Sequence, residues 1–428
     1  MDARGHLEQR PLKARRAVRL RSRVTVAFLL FVGAGAACAG FWFFLQPAPK
    51  ATLTLTPVTF DALPGWRAAD SRAALMAFQR SCLTLLQLPP KRFMGGVGYA
   101  GNVGDWRSSC AAAERLGRGG TAAREWFEAW FVPFSAGAGP DRRALFTGYY
   151  EPDIQASRTQ HGAYGVPIYG LPRDLVTADL GLFRGNLAGI RVSGRVEDQR
   201  LVPFPARETI DATGLSDAPV LLYAKDAVDV FFLQIQGSGR AHLDDGTQLR
   251  LGYAGQNGRP YTPIGRTLLR ERAVDREHLS MQSIRAWLES HPSAAMHTME
   301  SDESYVFFRT LPLGDPKVGS PGSEGVPLTP EASIAVDADT HALGVPMFVS
   351  AKAPSADLTD GVAPFNRLCV AQDTGGAIKG DLRADIFWGY GKQAGAIAGR
   401  MKSAGALYVL LPKILAVRVA QKYSGRWP

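Results

Sequence analysis

The sequence is 428 residues long, 46% hydrophobic and 21% charged, with a formal net charge of +10. Its composition is that of a globular protein, and its length exceeds one ordinary core, so two or three domains are expected. The charge does not mark a nucleic-acid binder. Residues 1–23 hold eight Arg and Lys against Asp2 and Glu8, so the other 405 residues share only +4. The basicity belongs to an N-terminal tail.

Behind that tail, residues 24–45 form a stretch of 22 without a charge, long enough to cross a bilayer as a helix. The preceding arginines place the N-terminus in the cytoplasm, and Phe41, Trp42 and Phe43 fall at the far interface. Cys38 follows Gly35-Ala36-Ala37, which resembles a lipobox only weakly: no Leu stands three residues before it, and the apolar run continues past it. A retained anchor is therefore preferred to cleavage or lipidation there. Arg15-Arg16 admits a twin-arginine reading, but a basic flank to the anchor is simpler. Either way the remainder is exported, with residues 46–65 as a linker.

The cysteines agree with export. Cys82 and Cys110 are expected to pair in an oxidising compartment, leaving Cys369 as a buried thiol in a strand. There is no C-x-x-C, and the seven histidines never form H-E-x-x-H, so neither a zinc site nor another cofactor is expected.

Helical spacing of apolar residues predicts helices over 71–86, 105–116 and 121–130, with Trp126, Phe127, Trp130 and Phe131 as an aromatic core face. A strand over 145–150 is closed by Glu151-Pro152. Strands and turns then predominate to about residue 300. They include a short helix at 226–230 that leads into 233–236 and the turn Gly237-Ser238-Gly239, and a hairpin turn at Asp244-Asp245-Gly246 with 248–253 returning. Ser238 is not a nucleophile elbow, because Gln236 occupies the first glycine position of G-x-S-x-G. Residues 263–300 read as helical, with Ile284, Trp287 and Leu288 on one face. Residues 314–330, rich in Gly, Pro and Ser, read as a surface loop. Asp337 and Asp339 form a D-x-D, but Phe348 stands where a calcium loop needs its bidentate Glu. A turn or supporting role suits them better.

The chemistry concentrates in residues 368–391, LCVAQDTGGAIKGDLRADIFWGYG. A strand runs into Asp373-Thr374-Gly375-Gly376, and Asp385 stands ahead of Ile386-Phe387-Trp388. Two carboxylates bracket a glycine turn, where the backbone doubles back without a Cβ clash. An apolar neighbourhood raises a carboxyl pKa, as a general acid requires. The plain alternative is a polar turn between two buried strands with solvated aspartates.

The run Ala371 to Gly380, A-Q-D-T-G-G-A-I-K-G, combines with the following Asp385 and the earlier Ala335-Val336-Asp337. Four further blocks occur in order: Phe146-Thr147-Gly148-Tyr149-Tyr150, Gln236-Gly237-Ser238-Gly239, residues 252–258 and Ser304-Tyr305-Val306-Phe307-Phe308. Together they resemble the three-aspartate domain of murein lytic transglycosylases, and within these the membrane-bound lytic transglycosylase A family. The resemblance runs from about residue 145 to 411.

It implies a mainly β fold with helices (α+β): a double-psi β-barrel domain interrupted by a second β-rich domain, with a groove between them. The domains are then a basic cytoplasmic tail (1–23), an anchor or signal segment (24–45), a linker (46–65), helices and the first part of the barrel (66–150), the inserted domain (151–300), the three-aspartate barrel segment (301–412) and a C-terminal tail (413–428). The implied reaction cuts the β-1,4 bond between N-acetylmuramic acid and N-acetylglucosamine in peptidoglycan without water. The muramyl 6-hydroxyl attacks its own anomeric carbon and leaves a 1,6-anhydro ring. One carboxyl then serves as acid and afterwards as base.

That role carries over to Asp385, with Asp373 and Asp337 orienting it, binding sugar and raising its pKa by like charge. Asp381 competes locally, but reads as an exposed turn. Thr147, Tyr149, Gln236, Ser238 and Tyr253 are groove residues suited to acetamido groups and sugar rings. The implied partners are glycan strands, the membrane through the anchor, and complexes that build or degrade the cell wall, with no nucleic acid. The implied location is the periplasm. Two rivals stay open: an inverting endoglucanase-like hydrolase with Asp373 or Asp337 as base, and a non-catalytic wall-binding protein. The basic segment 414–428 departs from the family pattern and reads as a peripheral or disordered tail.

Overall fold

Leu53-Thr54-Leu55-Thr56-Pro57 alternates apolar and polar residues, the period of a strand with one buried face. In the computed structural model, which describes residues 53–423 apart from 117–119, 140, 188 and 356–360, it is a strand. This β1 (Leu53–Pro57) pairs antiparallel with β2 (Phe131–Ala138). The expected linker therefore gives way by residue 53 to structure with Leu53, Leu55 and Leu63 buried. The anchor expected at 24–45 lies outside the described residues. Among those described, no helix is long and apolar enough to cross a membrane.

Three helices, α1 (Ser71–Leu85), α2 (Arg107–Glu114) and α3 (Gly120–Trp130), separate β1 from β2. Asp70 caps α1 by accepting from the Arg72 N–H at 2.8 Å, which satisfies one otherwise unpaired donor. Phe78 of α1 packs against Trp106, Trp126, Phe127 and Phe131, so the aromatic face is core, as expected. Cys82 and Cys110 are disulfide-bonded across α1 and α2 with Cα atoms 5.3 Å apart, while Cys369 is free and buried.

After β3 (Ala144–Glu151) the chain enters a second β-rich region. Its strands are β4 (Asp153–Ser157), β5 (Val166–Tyr169), β6 (Val176–Asp179), β7 (Arg191–Glu197), β8 (Arg200–Pro203), β9 (Val220–Ala224), β10 (Gly239–Leu243), β11 (Gln248–Gln256) and β12 (Val306–Leu311). They form a six-stranded sheet in the order β12-β11-β10-β4-β9-β5 and a separate three-stranded sheet β6-β7-β8. The region also holds α4 (Arg207–Thr213), α5 (Ala227–Gln236), α6 (Ile264–Arg270), α7 (Met281–Ser290) and α8 (Pro292–Glu300). The short helix expected at 226–230 runs on to Gln236 as α5, whose Val228, Phe231 and Phe232 pack with Leu288 and Met299.

The chain then returns through β13 (Ser333–Val336), β14 (Pro346–Pro354), β15 (Val362–Thr374), β16 (Arg383–Tyr390), α9 (Gly391–Ala398) and β17 (Lys402–Pro412). The sheet order β17-β14-β15-β13-β16-β3 closes on itself because the start of β17 also pairs with β3, Lys402 opposite Thr147. The result is a six-stranded barrel, with β2 and β1 extending it from the far end of β17. Closure removes the exposed edges an open sheet would leave. The C-terminal segment is not a free tail. Helix α10 (Lys413–Tyr423) buries Leu415, Ala416, Val419 and Ala420, and the spacing of these four puts them on one helical face.

Candidate active site

Strand parity builds the site. On β13 and β16, Ile334, Val336, Ala384 and Ile386 belong to the main barrel core, while Ala335 and Phe387 pack in a different cluster with Tyr149, Leu328 and Ile378. Alternate residues face opposite sides of a strand, so Asp385 shares the outer face with Phe387. Across the sheet, Asp385 stands opposite Ala335 on β13 and Thr147 on β3.

Asp373 reaches the same row through a register shift. Ile334 pairs with Ala371, but Ala335 pairs with Asp373, so Gln372 is the extra residue. A bulge of this kind re-aims the side chains that follow it. The row thus reads Asp373, Ala335, Asp385, Thr147, with a small residue between the carboxylates. Two strand spacings separate their Cα atoms, about 10 Å.

The Thr147 hydroxyl donates to Asp385 Oδ1 at 2.5 Å and accepts from Arg383 Nη2 at 2.7 Å. Burial pushes the Asp385 carboxyl up to about 6. The Thr147 bond and the Arg383 charge pull against this, and Asp373 adds to it. Asp373 is tied down: Oδ1 accepts from Ser323 N, Ser323 Oγ and Thr374 N, each at 2.9 Å, and Oδ2 accepts from Tyr149 Oη at 3.0 Å. Burial raises its pKa as well, against these four bonds.

Asp337 does something else. It accepts from Gly380 N at 2.7 Å, Lys379 Nζ at 3.1 Å and Asp339 N at 3.2 Å. Burial pushes its carboxyl up, but these donors outweigh it and leave the pKa below the usual value. Asp337 therefore anchors the glycine turn, and the like-charge effect on Asp385 comes from Asp373. Asp381 is not an exposed turn residue either: it is half-buried, and its Oδ1 accepts from Thr340 Oγ1 at 2.8 Å.

Of the expected groove residues, the fold brings Thr147 and Tyr149 onto the two aspartates. Gln236 instead accepts from the Tyr150 N–H at 3.0 Å, stapling the end of α5 to β3. Ser238 is buried beside the left-handed Gly237, and Tyr253, 47% exposed, sits at a bulge in β11.

Two residues missed from the sequence belong to the site. Arg383 was detectable, since it lies two residues before Asp385 on the same strand face. Ser323 was not, because it lies in the 314–330 segment that composition marks as surface. That segment is held down along its first half. Arg240 and Arg250 donate to the carbonyls of Asp315, Pro316, Val318 and Gly319, and the buried Glu151 accepts from Ser320 N at 2.6 Å. In the second region, Tyr261 feels the charge of Asp385 as well. Its phenol is pushed up to about 12, chiefly by burial, then by Asp302, and also by Asp385.

Comparison with known proteins gives matching results. Residues 145–309 match the MltA specific insert domain and residues 332–411 the 3D domain. Membrane-bound lytic murein transglycosylase A of Escherichia coli K12 is 36% identical over 272 residues, 62% of this chain and 65% of its own length. The crystal structure of membrane-bound lytic murein transglycosylase from Agrobacterium tumefaciens is 33% identical, with a TM-score of 0.75 over 86% of this chain and 99% of that one. This chain belongs to the membrane-bound lytic murein transglycosylase A family. A third relative, E. coli MltA with bound chitohexaose, is 28% identical with a TM-score of 0.62 over 85% of this chain and 96% of that one. In this MltA-family chain the insert match begins on β3 and ends within β12, and the 3D match runs from β13 into β17 and includes all three named aspartates, Asp337 in the turn after β13.

Proposed function

We propose that this protein is a lytic transglycosylase that cleaves the β-1,4 bond between N-acetylmuramic acid and N-acetylglucosamine and releases 1,6-anhydro-muropeptides. Asp385 protonates the leaving oxygen and then takes the proton of the muramyl 6-hydroxyl, which attacks the anomeric carbon. The observation that carries this is one buried carboxyl with its pKa raised to about 6, the value that suits an acid turned base near neutrality. Thr147 and Arg383 fix its rotamer. Asp373 orients Tyr149 and holds charge near Asp385, and Asp337 braces the turn between them. Tyr253 lines the second region's side of the groove, with Gln236 and Ser238 behind it holding that region to β3, and the barrel takes the double-psi crossing of its family. The relative crystallised with chitohexaose supports a glycan strand as ligand.

An inverting hydrolase needs a second carboxylate free to activate water, with the two about 6.5–9.5 Å apart. The spacing of the row suits that, but Asp373 already accepts four hydrogen bonds, a poor state for a base. Residues 24–45 anchor the protein in the membrane with its catalytic part in the periplasm, where complexes acting on the wall can recruit it. Mass analysis of products released from purified sacculi tests the reading. Anhydro ends are expected; reducing ends would make it a hydrolase, and no release a binding protein.

A further inference from the structure

The sheet β6-β7-β8 is amphipathic in the opposite sense to a packed element. Val176 pairs with Gly194, Ala178 with Val192 and Val196 with Leu201, and cross-strand partners share a face. One face is therefore wholly apolar, while Thr177, Asp179, Arg191, Ser193, Arg195, Glu197, Arg200 and a single apolar residue, Val202, occupy the other. The polar face is the one turned to the rest of the protein: a Cβ on Gly258 would lie 2.8 Å from Ser193 Cβ. Val176, Val192, Val196 and Leu201 are left exposed, Val196 to 60%. The β6–β7 connection adds Leu182 and Phe183, 87% and 75% exposed, and Ile190. Isolated exposed apolar residues need no explanation, but a contiguous set rimmed by polar ones marks an interaction surface.

We propose that this face rests on an anionic lipid bilayer, with Leu182 and Phe183 entering the boundary between headgroups and acyl chains. The inference rests on the anchor reading of residues 24–45. Only seven residues separate that stretch from β1, a reach of at most about 25 Å, so an inserted anchor keeps the folded part beside the bilayer. Arg184, next to Phe183, is exposed and has no ion-pair partner among the described residues. Aliphatic groups with a free guanidinium beside them fit lipid with acidic headgroups. They do not fit a sugar, which needs hydroxyl or amide partners. Such a contact would hold the second region in one orientation to the membrane.

The test uses the full chain in a Cys38→Ser background, reconstituted in phosphatidylethanolamine–phosphatidylglycerol vesicles. Nitroxide labels are placed at Leu182→Cys and Val196→Cys, with Asp245→Cys in the β10–β11 turn as control. Oxygen accessibility should exceed that to an aqueous nickel chelate at 182 and 196, with the ratio inverted at 245. Water-like values at 182 and 196 in a chain that floats with the vesicles overturn the proposal and leave the anchor intact. A chain that does not float overturns both. Spin–spin broadening at 182 would show a second copy covering the face, which also overturns it. Product analysis decides the enzymatic reading separately.

Discussion

At the scale of single residues, the contrast between Asp385 and Asp337 shows how environment separates chemically identical groups. Both are aspartates in one motif set, yet Asp385 titrates near 6 because burial dominates, and Asp337 is held low by a backbone N–H and an ammonium. Asp385→Asn should abolish anhydro-muropeptide release while leaving glycan binding intact, because Asn keeps the shape but moves no proton. A loss of more than about 10⁴-fold is expected, since each proton-transfer role is worth about 10²–10⁴. Near wild-type turnover would remove Asp385 from the mechanism. The acid must start protonated, so kcat should fall as pH rises through about 6, measurable on a single glycan substrate.

Glu324 offers a stability readout at the same scale. Its carboxyl is pushed up to about 7 by burial, against the pull of Ser81 and Gln372, and Ser81 Oγ donates to it at 2.6 Å. The native state therefore holds a proton that the unfolded chain releases near 4.5. Its stabilising contribution is full below that value and is lost as pH rises through about 7, at up to about 1.4 kcal/mol per unit. Glu324→Gln should flatten the decline in urea midpoint between pH 5 and pH 8. An unchanged slope would mean that Glu324 ionises freely in the folded protein.

At the scale of elements, two segments that composition marks as loose are structural. Residues 314–330 lack regular periodicity, but buried arginine donors and Glu151 pair their backbone. Helix α10 buries four apolar side chains and adds an Arg418–Asp105 ion pair at 2.5 Å. Leu415→Ala should cost about 2–4 kcal/mol by opening a cavity, read as a lower thermal midpoint with kcat little changed. Reducing the Cys82–Cys110 bond reopens a 28-residue separation, and about 3 kcal/mol should be lost. If both changes leave the midpoint unmoved, neither element braces the barrel.

For the whole molecule, the chain leaves the barrel after β3 and returns at β13, so the second region is an insertion between two strands that both pair with β16, β3 parallel and β13 antiparallel. This brings Tyr261, from the insertion, within electrostatic reach of Asp385 on the barrel. Reporter fusions after residue 60 should be active only when exported, as expected of an anchored chain with its catalytic part outside. Activity in the cytoplasm would reverse the topology.

The sequence by itself determined what depends on local pattern. The helices over 71–130 follow from apolar spacing, and the pairing of Cys82 with Cys110 from their closeness in sequence. The aspartate candidates came from glycine turns and motif order. What only the tertiary structure decided depends on register and long-range contact. A one-residue bulge at Gln372 puts Asp373 on the face of Asp385, and no periodicity announces it. Ser323 joins the site from 50 residues away because buried arginines fix its loop. The outward turn of the apolar β6–β8 face was equally hidden, since alternation along a strand reports two faces but not which of them meets the rest of the protein.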